Sequence, residues 1–191
     1  MRNLGALAAT MMIGLMFVSP AGAQGSDITA CGIVTLEDAE SLVGGPLQVI
    51  DRAKVKTANG DDTYDSICTY IPAGARIDAG PSVDRTLDLT LHVLSSPQEA
   101  EELLTRSFIR YRRLVASRNF PYKDSSVALI EDFGKGAFAM EAVTDTKTGY
   151  KSTLIAFVKG RIGGTIGAWS KPGSSLETSK AALRHILDRL P

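Results

Sequence analysis

Residues 152–170, STLIAFVKGRIGGTIGAWS, hold two apolar runs on either side of the short turn Lys159-Gly160-Arg161. Thr153, Ile155 and Phe157 alternate with Leu154, Ala156 and Val158, and β-branched or aromatic residues recur in both runs, as a half-buried pleated pair requires. The stretch predicts a central β-hairpin. Upstream, Ala137 to Val143 supplies a further strand, so three consecutive strands make a meander. Val127 to Ile130 is a short extended segment before a turn at Phe133-Gly134-Lys135-Gly136. Downstream, Ser174 or Ser175 caps a helix with Leu176, Leu183, Ile186, Leu187 and Leu190 on one face.

The first half of the chain carries the same two kinds of pattern. Thr86 to Leu94 places Leu87, Leu89, Leu91 and Val93 on one face and Asp88, Thr90 and His92 on the other, a strand with one buried and one polar face. Ser96-Pro97-Gln98-Glu99 follows as a capping box with proline in the first helical position. It opens the longest helix, which has a core stripe of Ala100, Leu103, Leu104, Phe108, Tyr111, Leu114 and Val115 and an end near Ser117. Earlier, Thr35 caps a short helix that faces inward through Leu36, Ala39, Leu42 and Val43 and stops at Gly44-Gly45-Pro46. Leu47 to Val55 and Thr63 to Ile71 are strands separated by an Asn59-Gly60-Asp61-Asp62 turn. Pro72 to Asp84 reads as an exposed connection. The expected fold is α+β: a single antiparallel sheet, two long helices packed on one face and a short N-terminal helix.

Arg2, the apolar run Leu4 to Val18 and the small residues Ala21-Gly22-Ala23 have the order of a secretory signal peptide. Cleavage after Ala23 gives a signal segment 1–23 and one domain, 24–191, of 168 residues. One of the 21 basic residues leaves with the signal, so 20 face 21 acidic ones, a net charge of −1. That balance offers no electrostatic case for nucleic acid. No later run is long enough for a transmembrane anchor. Cys31 and Cys68, the only cysteines, both lie in the exported part, where an oxidising compartment favours a disulfide between them. Lipid attachment at Cys31 is the alternative, but Ala21-Gly22-Ala23 stands in better register with the apolar run. The expected location is periplasmic or secreted.

Ala30-Cys31, Leu42-Val43-Gly44, Cys68-Thr69-Tyr70, Phe133-Gly134-Lys135-Gly136-Ala137, a late hairpin and a C-terminal helix together resemble small exported bacterial domains of unknown function, among them many actinobacterial lipoproteins. The resemblance spans most of the chain after Ala23. It implies export, a disulfide and an α+β fold, and carries over no catalytic residue. The separate upstream lipidated cysteine of many such proteins is absent here.

Motifs for chemistry fail on their spacing. Asp61 to Asp65 opens like a calcium loop, yet Ser66 and Pro72 stand where glycine and glutamate are needed. Lys147-Thr148-Gly149 has no accompanying Ser-x-x-Lys or Ser-Asp-Asn. Gly163-Gly164-Thr165-Ile166-Gly167 lacks the register of a dinucleotide-binding loop and reads as a strand whose bare positions let a neighbour approach. No cofactor or metal is expected, and His92 and His185 have no ligand-spaced partner. Arg106, Arg110 and Arg113 form a basic stripe with Ile109 on the outer face of the long helix, a candidate surface for a partner, although Glu102 and Arg106 also form an ordinary i, i+4 pair. Tyr150 and Trp169 are candidates for a pocket mouth. These features favour a non-enzymatic binding or accessory domain for an envelope protein or small ligand. A small hydrolase drawing acid and base from Asp, Glu or His92, and a structural subunit of an envelope complex, are the alternatives. Neither the ligand nor the oligomeric state is legible.

Overall fold

The computed structural model describes residues 28–57, 63–75, 85–117, 120, 125–145, 150–170 and 175–191, with the side chains of 51–54, 134–135, 142–145, 150–151, 169–170 and 175 outside the description. The signal segment, the 59–62 turn, most of the Pro72 to Asp84 connection and the Lys147-Thr148-Gly149 loop lie outside it.

The elements in chain order are α1 (Ala30–Ile33), α2 (Leu36–Val43), β1 (Leu47–Lys56), β2 (Tyr64–Pro72), β3 (Thr86–Val93), α3 (Pro97–Val115), β4 (Ser126–Leu129), a 3-10 helix (Glu131–Gly136), β5 (Ala137–Asp145), β6 (Tyr150–Lys159), β7 (Ile162–Ser170) and α4 (Ser175–Arg189). The seven described strands form one antiparallel sheet in the order β1-β2-β3-β7-β6-β5-β4. The hairpin β6-β7 thus lies in the body of the sheet, with β7 joining the meander to β3. Residues 131–136 form a 3-10 helix where a turn was expected, and α1 is an additional single turn that Thr29 caps through its side chain.

Leu87, Leu89, Leu91 and Val93 of β3 are all essentially inaccessible. Together with Ile155, Phe157 and Ile166 they build one apolar cluster with Ala30 and Val34 at α1, Ala39 of α2, and Leu183 and Ile186 of α4. The alternate residues point to the opposite face, and there α3 lies. Phe138 meets Phe108 with ring centroids 5.3 Å apart and Tyr111 at 6.0 Å, and Leu103 stands 3.5 Å from where a Cβ on Gly163 would be. The two long helices therefore pack on opposite faces, not on one. The reason is topological: α3 must carry the chain from β3, inside the sheet, to β4 at its far edge, and it crosses β7, β6 and β5 on the face that α4 does not occupy. Leu114, expected in the core stripe, is 43% exposed at the end of this crossing.

The ends of the elements are well tied. Thr35 and Asp38 form a capping box on α2, with Asp38 Oδ2 accepting from the Thr35 N–H at 2.8 Å. Ser96 caps α3, but Glu99 reaches back to the N–H and hydroxyl of Ser95 instead of the cap residue itself. Lys159 Nζ donates to the carbonyls of Leu187 and Leu190, each at 2.6 Å, and places a cation on the last turn of α4. The Cys31–Cys68 disulfide, with Cα atoms 5.2 Å apart, fastens α1 to β2. Tyr70 donates its hydroxyl to the Val34 carbonyl beside it.

Candidate functional site

Because β3 presents an apolar row to one face, its other row is polar. Asp88, Thr90 and His92 are half-buried, as are Asp65, Ile67 and Thr69 of the adjoining β2 and Thr165 of β7. The register sets Asp65 directly opposite His92, Ile67 opposite Thr90, and Thr69 opposite Asp88. Among the described helices, α3 is the one on this face, and it packs against β4 to β7. Among the described residues, the β2-β3 part is left as a polar shelf beside the helix.

The most organised point on the shelf is the imidazole of His92. Its Nδ1 lies 2.7 Å from Asp65 Oδ1, with the side chains 29% and 37% exposed, so the pair is wet and contributes at most about 1 kcal/mol to stability. Its effect is geometric. In the tautomer that donates from Nδ1, Asp65 fixes the ring and leaves Nε2 available to a ligand or a proton. On the other side His92 faces Gly163 across the β3-β7 ladder. The missing side chain there opens a cavity of about 50 Å³ under α3, lined by His92, Ser107, Thr165, Leu103 and Ala100 among others. That volume holds water but no organic molecule.

Packing explains one position of the glycine-rich run, Gly164. A Cβ on Gly164 would lie 2.5 Å from Phe157 Cζ and 2.8 Å from the Thr90 carbonyl oxygen, so the Phe157 ring occupies the space of the absent side chain. The neighbour that approaches is mainly a ring from the next strand.

The structure brings Arg106, Ile109, Arg110 and Arg113 onto one exposed face of α3, with Ile109 44% exposed. Glu102 accepts a hydrogen bond from Gln98 Nε2 at 3.1 Å and forms no ion pair with Arg106, contrary to the expected i, i+4 pair. Among the described residues no carboxylate pairs with these three arginines. Arg112 instead lies over the Phe108 ring, 5.7 Å from its centroid. The strand positions of Tyr150 and Trp169 are described, with Trp169 opposite Thr86 and Ser152, but their side chains are outside the described residues.

A second polar cluster fastens α2 to α4. Asp38 accepts from Arg189 Nη1 at 2.7 Å and from the Thr35 hydroxyl at 2.7 Å, with His185 Nε2 3.1 Å away. Burial by itself would raise the pKa of Asp38. The hydrogen bonds from Thr35 and Arg189 and the field of His185 outweigh it and hold the carboxyl well below the usual carboxylate range. Arg189 also donates to the Ile33 carbonyl at 2.9 Å, so this cluster is committed to holding the helices together.

The strand expected over Thr63 to Ile71 places Asp65 inside it, but neither its pairing with His92 nor that of His185 with Asp38 is marked by any ligand spacing in the sequence. Asp65 lies within β2 as that strand requires, and both histidines meet an aspartate. The available signal for the first pair was the alternation of polar residues in two adjacent strands.

No family model matches the chain, and no curated protein matches it. Its fold, an antiparallel α+β sheet with helices on both faces, is similar to a solved one. The extracellular domain of PknH from Mycobacterium tuberculosis superposes with a TM-score of 0.59 over 80% of this chain and 89% of that chain, at 6% sequence identity. At that identity the likeness is one of fold. No described helix is long and apolar enough to cross a membrane.

Proposed function

We propose that the protein is an exported, non-enzymatic binding domain that holds a small polar ligand on the β2-β3 shelf beside α3. The observation that carries this reading is the uneven cover of the sheet: α3 packs over β4 to β7 and leaves Asp65, Thr69, Asp88, Thr90 and His92 in a continuous half-exposed row. Hydroxyls, carboxylates and one oriented imidazole suit a ligand with both donors and acceptors. Export is supported by the Cys31–Cys68 disulfide, by the signal-like order of residues 1–23, and by the similarity of the fold to an extracellular domain. The wider kinship we infer is with the small exported domains of unknown function that the sequence resembles. The α3 stripe of Arg106, Ile109, Arg110 and Arg113 then serves as an accessory surface for an envelope partner of opposite charge.

Native mass spectrometry of protein recovered from an exported fraction tests this. A persistent additional mass of small-molecule size is expected; a bare polypeptide from gentle purification would refute it. The pairing of Asp65 with His92 favours a second reading, a hydrolase in which Asp65 orients His92 as a general base. That reading requires hydrolysis of a generic ester that disappears in His92→Gln while the fold persists.

A further inference from the structure

The two edges of the sheet differ. The β1 edge is long but is broken by a bulge between Arg52 and Val55. The β4 edge, Ser126–Leu129, has no charge, no proline and no bulge, and Ser126, Ala128 and Leu129 are exposed, Leu129 at 55%. Its backbone polarity follows from one hydrogen bond. The Ile130 N–H donates to the Ala137 carbonyl at 3.3 Å, so Ala128, two residues earlier in the same ladder, also turns its N–H and C=O toward β5. Val127 and Leu129 turn theirs outward.

Beside this edge, on the α4 face, lies a cleft of about 270 Å³ lined by Ser126, Ala128, Glu131, Glu141, Leu176 and Lys180, among others. Asp132, also on its wall, is engaged by Arg184 at 3.4 Å and Lys180 at 3.9 Å. Glu131 and Glu141 have no cation among the described residues, so the cleft carries excess negative charge.

We propose that β4 takes an extended segment of a partner protein as an eighth strand, one that alternates basic and apolar side chains. The outward groups of Val127 and Leu129 supply the main-chain pairing. A residue opposite Ala128 directs its side chain to the α4 face, into the cleft between Glu131 and Glu141, and must be lysine or arginine. Its two neighbours fall on the α3 face against Leu129 and must be apolar. This surface is separate from the polar shelf, and the inference does not depend on a ligand there.

The probe is a fluorescent hexapeptide of alternating valine and lysine, followed by anisotropy at physiological salt, with a valine and glutamate peptide as control. Saturable binding of the lysine peptide alone is expected, with hydrogen-exchange protection appearing at the Val127 and Leu129 amides. Leu129→Pro removes an outward N–H and no ladder bond, and should weaken binding about fivefold to tenfold. Glu131→Gln with Glu141→Gln should weaken it by a similar factor at unchanged thermal stability, which keeps the test valid if the proline variant does not fold. Absence of binding, equal binding of the control peptide, or indifference to both variants would overturn the proposal. Protection of Val127 and Leu129 without peptide, with a doubled mass in solution, would overturn it in favour of pairing between two copies of the chain.

Discussion

Two neighbouring glycines respond differently to the same methyl group. At Gly164 the new carbon meets the Phe157 ring at 2.5 Å and a backbone oxygen at 2.8 Å, neither of which is free to retreat, and Gly164→Ala should cost about 1–3 kcal/mol. At Gly163 the nearest atom is 3.5 Å away, an ordinary contact, so Gly163→Ala should alter stability by less than about 0.5 kcal/mol in urea unfolding. Asp38 gives the pH dependence. Its carboxyl is held below its unfolded-state value of about 3.9, so the stability it contributes is complete above that pH and is lost as the pH falls below it. Asp38→Asn should destabilise the protein by about 2 kcal/mol at pH 7, and its deficit relative to the wild type should shrink between about pH 4 and pH 2. Thermal melts across that range check both. The Thr35 cap beside Asp38 was legible because capping is local. The Arg189 and His185 contacts were not, because they join residues about 150 apart in the sequence.

At the scale of elements, strands and helices were legible and their faces only partly so. The alternation in β3 correctly placed the leucines inward. In β6, however, Leu154, Ala156 and Val158 are as apolar as Ile155 and Phe157, a continuous run that marks a strand covered on both faces. Read as half-buried, the strand put both long helices on one side; the structure puts α3 on the other. Two links between elements give predictions. Opening the Cys31–Cys68 bridge, which spans 37 positions, releases about 3 to 4 kcal/mol of chain-entropy stabilisation, and Cys31→Ser with Cys68→Ser should lower the melting temperature by roughly 10 °C. Lys159→Met removes the cation that Leu187 and Leu190 share at the end of α4, and should cost about 1 to 2 kcal/mol while leaving the helix content intact by circular dichroism.

At the scale of the molecule, α3 covers the sheet over β4 to β7 and leaves beside it a polar row of β2 and β3 that no sequence motif announces. The shelf exists because a single crossover helix serves the β4 to β7 half of a seven-stranded sheet. Its residues are individually ordinary, and their meaning arises only from the register that aligns Asp65 with His92 and Thr69 with Asp88. The most direct test is native mass spectrometry of the exported wild type beside Thr90→Trp, whose indole fills the shelf, and Arg106→Glu with Arg110→Glu, which alters only the outer face of α3. A bound mass present in the wild type and the arginine variant but absent from Thr90→Trp is the predicted result. A bound mass that survives Thr90→Trp, or none in any of the three, would contradict the shelf as the binding site.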